Sequence, residues 1–405
     1  MALFSLLKLS STSKTVALAS VLSFGTQVVF ALLMLRWFTP QEVGEFSVIS
    51  QIAFFWMTLA LAQAPLSLLA NPSHNAHQES RKHWLNSVWR WCALAPLAWL
   101  ALWIVQLQML SALGWVVVIS LCQLSWGLAQ SFVLRTGTTQ QQLYVRVVPP
   151  ACSVLVAWAG AQFTVLTQWQ AATLLLAALL GYFVGSLWLV PAWLDADEKP
   201  TKIALVGSAP QQDDNRSTFL RLTHTFFDVL LATSVIIVWQ RLYGAQETGW
   251  LSALLRVFGF VPAVIHMAWA QVKLSQPSQQ ASNSSLSVGL LGCLSLVSIG
   301  LASLFALHMQ WLDTQWQGIA NYLWPLVLWQ GSACLSASVS HRPFQKGFAS
   351  QYSYICIGGA ALQILWLIAP AFLQLDVSTH THLISFVTLS SLILLGLAKW
   401  MHSLR

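Results

Sequence analysis

Arg36-Trp37-Phe38-Thr39-Pro40-Gln41-Glu42-Val43-Gly44-Glu45-Phe46-Ser47 is answered 205 residues later by Arg241-Leu242-Tyr243-Gly244-Ala245-Gln246-Glu247-Thr248-Gly249-Trp250-Leu251-Ser252. Arg, Gln, Glu, Gly and Ser coincide, five of twelve positions. Phe38 and Tyr243 match in character, as do Phe46 and Leu251. Each copy is a short polar turn between two long apolar segments. The offset is about half of the 405 residues, so the two copies sit at equivalent places in two halves. Weak internal symmetry of this kind is how many transporter folds show themselves.

Around the turns, the composition excludes a soluble protein. The chain is 57% hydrophobic and 8% charged, against roughly 25% charged in a soluble domain. Apolar runs near the roughly 20 residues that span a bilayer recur along its length. Segments such as Ala171–Val190 do not alternate, so a β-barrel does not fit. The 22 Trp residues suit a protein with much surface at the headgroup level. The expected fold is an all-α polytopic membrane protein.

Twelve spans are predicted, at about 14–37, 43–69, 85–107, 112–134, 144–166, 169–193, 218–240, 249–271, 286–308, 317–338, 349–371 and 381–402. The charged, Pro- and Gly-containing segment Asp195–Ser217 reads as a linker. The expected organisation is a six-helix bundle over 1–193, a linker over 194–217 and a second bundle over 218–405, related by the internal repeat. Residues 1–13 read as a short interfacial helix. The apolar region behind them is too long for a cleaved signal peptide.

Charge sets the expected orientation. Thirteen Lys and Arg fall on the side shared by both termini and the linker, and only Arg36 and Arg241 on the other. The positive-inside rule then makes the termini and linker cytoplasmic and the repeated turns external. The net charge of +7 comes from Lys and Arg scattered at helix ends, so no nucleic-acid partner is expected. The six Cys lack CxxC spacing and nearby His, and read as small core residues. No outward loop exceeds about a dozen residues, which leaves no external domain for a site.

At the repeat the chain resembles a known group. The stretch LLMLRWFTPQEVGEFSVISQIAFF is similar to the first-hairpin signature of Wzx-type polysaccharide flippases, members of the multidrug/oligosaccharidyl-lipid/polysaccharide (MOP) exporter superfamily. The stretch RLYGAQETGWLSALLRVFGFVPAVIHMAWAQVKL resembles the corresponding hairpin of that family's second half, including Arg256. The resemblance covers the whole chain in architecture and the two hairpins in sequence. It implies two six-helix bundles around a central cavity in the bacterial inner membrane. It also implies transfer of an undecaprenyl-pyrophosphate-linked oligosaccharide from the cytoplasmic to the periplasmic leaflet by alternating access. Many relatives carry an acid late in the seventh span. Ser234-Val235-Ile236-Ile237-Val238 carries none, and Asp228 lies about two turns earlier, so the resemblance by itself assigns it no role.

Such a cargo needs cationic side chains for the pyrophosphate, and Arg pairs with phosphate through two donors. Ionisable groups inside spans are costly and mark pathways. Arg221, His224 and Asp228 share one face of the seventh span, and Asp228 sits roughly 15 Å from its start. Arg221 is a candidate for the pyrophosphate; Asp228 and His224 are candidates for a proton or Na+. The alternative is an ion pair of Asp228 with Arg221 or Arg256. Arg256, Arg90 and Arg146 are further substrate candidates, and His266 a further coupling candidate. For Arg90 and Arg146 the alternative is a boundary role, and for His266 a packing role. Gln27, Gln51, Gln123 and Gln130 could bind sugar hydroxyls or bridge helices, and they suit helix bridging better. The repeated Gly and Glu suit close packing and helix N-termini. No P-loop, nucleophile elbow or HExxH occurs, so no cofactor is expected beyond H+ or Na+ coupling. The expected partners are the lipid-linked oligosaccharide, the bilayer and glycan-pathway membrane proteins such as a polymerase. The rivals are a multidrug exporter of the same superfamily and a membrane polymerase or ligase. A polymerase or ligase would need the outward loop that is missing here, and a scaffold would have no use for the intramembrane charges.

Overall fold

In hydrocarbon every backbone polar group must be satisfied within the chain, which leaves helices for a protein without barrel patterning. The computed structural model describes residues 11–70, 75–107, 109–162, 170–194, 215–270, 273 and 284–404, and among them there is no strand. Most of the segment expected as an interfacial helix (1–13) and most of the linker (194–217) lie outside the described residues.

The helices are α1 (Ser11–Trp37), α2 (Pro40–Leu61), α3 (Ala64–Ala70), α4 (Ala76–Ala93), α5 (Ala95–Val105), α6 (Met109–Thr136), α7 (Thr139–Gln162), α8 (Gln170–Ser186) and α9 (Pro191–Leu194). Then come α10 (Asn215–Phe258), α11 (Phe260–Val264), a π-helical turn Ile265–Ala270, α12 (Ser284–His308), α13 (Ala320–Val339), α14 (Arg342–Gln345), α15 (Ala349–Phe372) and α16 (Thr379–Ser403). Each of the twelve predicted spans has a helical counterpart here. Among the described residues eight helices are long and apolar enough to cross a membrane, or nine with the bent pair α4/α5 counted as one span. One of the eight, Thr218–Met267, runs through two predicted spans. It breaks at Gly244, where φ is 87°, a conformation that glycine adopts without strain. The protein is an all-helical, multi-pass membrane protein.

Helix α13 is less apolar because it carries Asn321, Gln330 and several serines. Gln330, Ser332, Ser336 and Ser338 are buried, and α13 packs on α12 and α16. Protein rather than lipid covers its polar side chains, which suits interhelical contacts of small and hydroxyl residues.

Three predicted spans are not continuous. The second stops at Leu61, and Ala62 turns left-handed at φ 48° before α3. The third bends by 45° between α4 and α5. The eighth passes from α10 through α11 into the π turn. Proline explains where the chain yields. Pro65, Pro96 and Pro262 each lack the N–H that the carbonyl four residues earlier needs. In α7, Pro149 leaves the Val145 carbonyl free, and Trp126 Nε1 donates to it at 2.8 Å, so α7 continues past the proline.

The chain forms two compact units. One takes the described residues of Met1–Leu33 and Val48–Asp214; the other takes Met34–Ser47 together with Asn215–Arg405. The first unit has a core of Ala60, Leu61, Leu68, Leu124, Leu128 and Phe132. The second includes the whole first copy of the repeated turn. Arg36 Nη1 donates to the Trp311 carbonyl at 3.0 Å, and Trp316 Nε1 to the Phe38 carbonyl at 3.1 Å.

Candidate functional site

The second unit draws ionisable side chains together from three separate elements. On α10, His224 Nε2 lies 3.4 Å from Asp228 Oδ2, as their spacing of four allows. The Asp228 side chain is 59% accessible and that of His224 20%, so the carboxylate has an open side. His266 comes within electrostatic reach of Asp228. It stands in the π turn, whose extra residue re-aims the side chains around it. Its Nδ1 is 3.2 Å from Ser340 Oγ, just beyond α13. From α15, Tyr352 sets its ring edge-on to His224 at 5.6 Å, one helical turn before Cys356. The result is a carboxylate facing two imidazoles, with a hydroxyl and a thiol beside them. Such a group can exchange a proton.

Arg256 is placed elsewhere in the same unit. Its guanidinium lies 4.8 Å over the Phe46 ring, and Nη2 is 3.4 Å from Ser47 Oγ. It is thus seated on the first copy of the repeated turn, with a cation–π contact that survives in a low dielectric. Arg221 is exposed and donates to Thr218 Oγ1 at 3.4 Å. The ion pair seen at Asp228 is therefore with His224, within one helix. Arg90 and Arg146 belong to the first unit. Arg90 Nη2 donates to the Leu61 carbonyl at 3.4 Å and to Ser87 Oγ at 3.1 Å. Arg146 is half-buried on α7, three residues before Pro149.

A second cluster was not anticipated from the sequence. Tyr322 on α13 donates a short hydrogen bond to Glu247 and accepts one from Trp239 Nε1 at 2.9 Å. Tyr243 Oη lies 2.8 Å from His382 Nδ1 on α16, and the Trp239 and His382 rings stack at 5.2 Å. Tyr243 and Glu247 are in the quoted repeat at a spacing of four. Their partners lie 139 and 75 residues away, which no local pattern announces.

The two repeated glutamates have different employment. Glu42 Oε2 accepts from the Thr39 N–H at 2.7 Å, and Thr39 Oγ1 accepts from the Glu42 N–H at 3.3 Å. That is a capping box at the start of α2. In the second copy Gly244 replaces Thr39 and has no hydroxyl to offer, and Glu247 turns to Tyr322.

Outside the spans, His341 follows Ser340 and is 5% exposed. Burial, together with Arg342 and Lys273, pushes its imidazole down to about 4. All six cysteines are free thiols.

No protein-family model matches the sequence, and no curated protein matches it. Solved structures do resemble the fold. An inward-facing conformation of a multidrug resistance MATE family transporter of the MOP superfamily superposes with a TM-score of 0.57 at 10% identity, over 94% of this chain and 93% of that one. An outward-facing conformation of a MATE family transporter superposes at 0.52 and 13% identity, over 98% and 96%. Across nearly its whole length, this chain has the fold of the MOP superfamily transporters.

Proposed function

We propose that the protein is a transporter and not an enzyme. It moves an undecaprenyl-pyrophosphate-linked oligosaccharide from the cytoplasmic to the periplasmic leaflet of a bacterial inner membrane, with both termini cytoplasmic. Two bundles, 1–193 and 218–405, alternate access to the cargo. That the fold occurs in inward- and outward-facing forms supports the alternation. The observation that carries the choice of cargo is the sign of the intramembrane charge. Arg36, Arg90, Arg146, Arg221 and Arg256 stand in predicted spans, against Glu45 and Asp228. Arginine suits a pyrophosphate, and a phosphate-free organic cation would gain nothing from it. Asp228, His224 and His266 are the coupling group for H+ or Na+. A glycan polymerase is the natural neighbour, since it would use the delivered repeat unit.

A multidrug exporter is the second reading, favoured by one observation. Glu247 sits among Trp239, Tyr243, Trp250 and Tyr322, and acids among aromatics suit organic cations.

The test is reconstitution into proteoliposomes with fluorescent lipid-linked oligosaccharide. Transfer between leaflets at least tenfold above empty vesicles is expected. Export of ethidium with no transfer of the lipid-linked sugar would replace the first reading by the second.

A further inference from the structure

Two spans of the first unit are broken, and their breaks meet. Helix α2 ends at Leu61, with the left-handed Ala62 behind it and Pro65 in the first turn of α3. Pro65 has no N–H for the Leu61 carbonyl, four residues back. Arg90 Nη2 donates to that carbonyl instead, at 3.4 Å. Arg90 belongs to the last turn of α4, directly before the 45° bend into α5. The exchange also runs the other way. Trp56, on α2, sends its Nε1 to the Trp91 carbonyl at 2.8 Å, beside the bend. The two indoles stack at 4.4 Å and 7°. Each broken span thus sends a side-chain donor to a backbone carbonyl at or beside the other's break.

Two buried atoms at this crossing have no hydrogen-bond partner: Arg90 Nε and Gln123 Oε1. Gln123 is 5% exposed and lies on α6 between two residues of the crossing. Ser120 accepts from Trp91 Nε1 at 2.9 Å, and Gly127 packs against the Leu61 side chain. Spacings of three and four put Ser120, Gln123 and Gly127 on one face of α6. One unpaired atom is a donor and the other an acceptor. Leaving both buried is costly, and they complement each other.

We propose that Arg90 is a positioning residue that pins the two discontinuous spans at their breaks, and that the breaks act as one two-state joint. In the structure seen here Arg90 holds Leu61. When the joint flexes, its guanidinium also engages Gln123 Oε1. This rests on the transport reading only for the purpose of the motion. Broken helices in transporters lie where a bundle must change shape without leaving backbone groups unpaired.

Hydrogen exchange on the full chain in lipid nanodiscs tests it, read on peptides covering 61–66 and 92–97. Arg90→Ala is expected to speed exchange by about tenfold at both sites, because each opening exposes the other. Arg90→Lys, which keeps one donor for Leu61, is expected to recover part of the protection at 61–66. Gln123→Leu removes the second acceptor and is expected to slow exchange at both sites. Unchanged exchange in Arg90→Ala, or loosening at one break alone, overturns the proposal, as does faster exchange in Gln123→Leu. Should Arg90→Ala fail to reach the membrane, Trp56→Phe keeps a stacked ring and loses only the bond to Trp91. It is then expected to speed exchange at both sites by about threefold, and a rise at 92–97 alone overturns the joint. Exchange requires no cargo, so a negative result here leaves the choice of cargo untouched, and a failed flip assay leaves the joint untouched.

Discussion

Gly44 and Gly249 hold each other's turn: a side chain on Gly44 would strike the carbonyl of Ala245, and one on Gly249 the carbonyl of Pro40. Pro40 and Ala245 are themselves equivalent positions of the repeat. The two turns therefore pack backbone against backbone in a local pseudo-two-fold arrangement inside the second unit. No residue but glycine leaves room for that approach.

Gly44→Ala and Gly249→Ala should each lower stability by about 1–3 kcal/mol through overpacking. Gly25→Ala should be near neutral, since a Cβ there meets nothing within 4 Å. Thermal unfolding in detergent reads all three. Equal melting temperatures across the set would mean that the turns have room to spare.

The two glutamates should separate in the same assay. Glu42→Ala removes a capping box and should cost about 1 kcal/mol. Tyr322→Phe should cost more, about 2 kcal/mol, because it strips Glu247 of a donor and Trp239 of an acceptor at once. Glu247→Gln combined with Tyr322→Phe should cost less than the sum of the two. Additive costs would deny that Glu247 and Tyr322 act as a pair.

Trp126 and Pro149 make a compensating pair. Trp126→Phe should cost about 1 kcal/mol by orphaning the Val145 carbonyl. In a Pro149→Ala background the restored N–H should take over that carbonyl, and the penalty for losing the indole donor should shrink. A penalty of the same size in both backgrounds would assign Trp126 to packing alone.

Asp228→Asn and His224→Ala should abolish gradient-driven transfer while the protein still inserts and melts normally. The readout is transfer in proteoliposomes with and without an imposed H+ or Na+ gradient. Retention of full gradient dependence in both variants would remove the α10 pair from coupling.

His341 makes stability depend on pH. Its folded value near 4 lies below the ordinary 6.5, so the unfolded chain binds the proton more readily. Its contribution is complete above about pH 6.5 and is lost as pH falls toward 4, at a cost of about 3 kcal/mol. Melting temperature measured from pH 7 to pH 4 should fall more in the parent than in His341→Gln. Parallel curves would show that the ring titrates freely in the folded protein.

Much of the architecture follows from the sequence, because bilayer thickness sets the length of an apolar run and backbone hydrogen bonding allows it only one form. The twelve spans were legible on that ground. So was the kinship of the two turns, since both copies need a glycine where backbones touch. Prolines 65 and 149 could also have been read further: each announces an unpaired carbonyl four residues earlier, and hence a donor to be found.

The donors themselves were decided by tertiary structure. Arg90 sends a donor to the Leu61 carbonyl, 29 residues away in the chain. Glu42 and Glu247 hold equivalent places in the repeat, yet one caps its own helix and the other binds Tyr322. His266 reaches Asp228 from a π turn that no hydropathy pattern marks. The physical reason is common to all three. Hydropathy and turn chemistry act over a few residues and are written locally, whereas a buried polar atom is satisfied by whichever group the packing of distant helices brings to it.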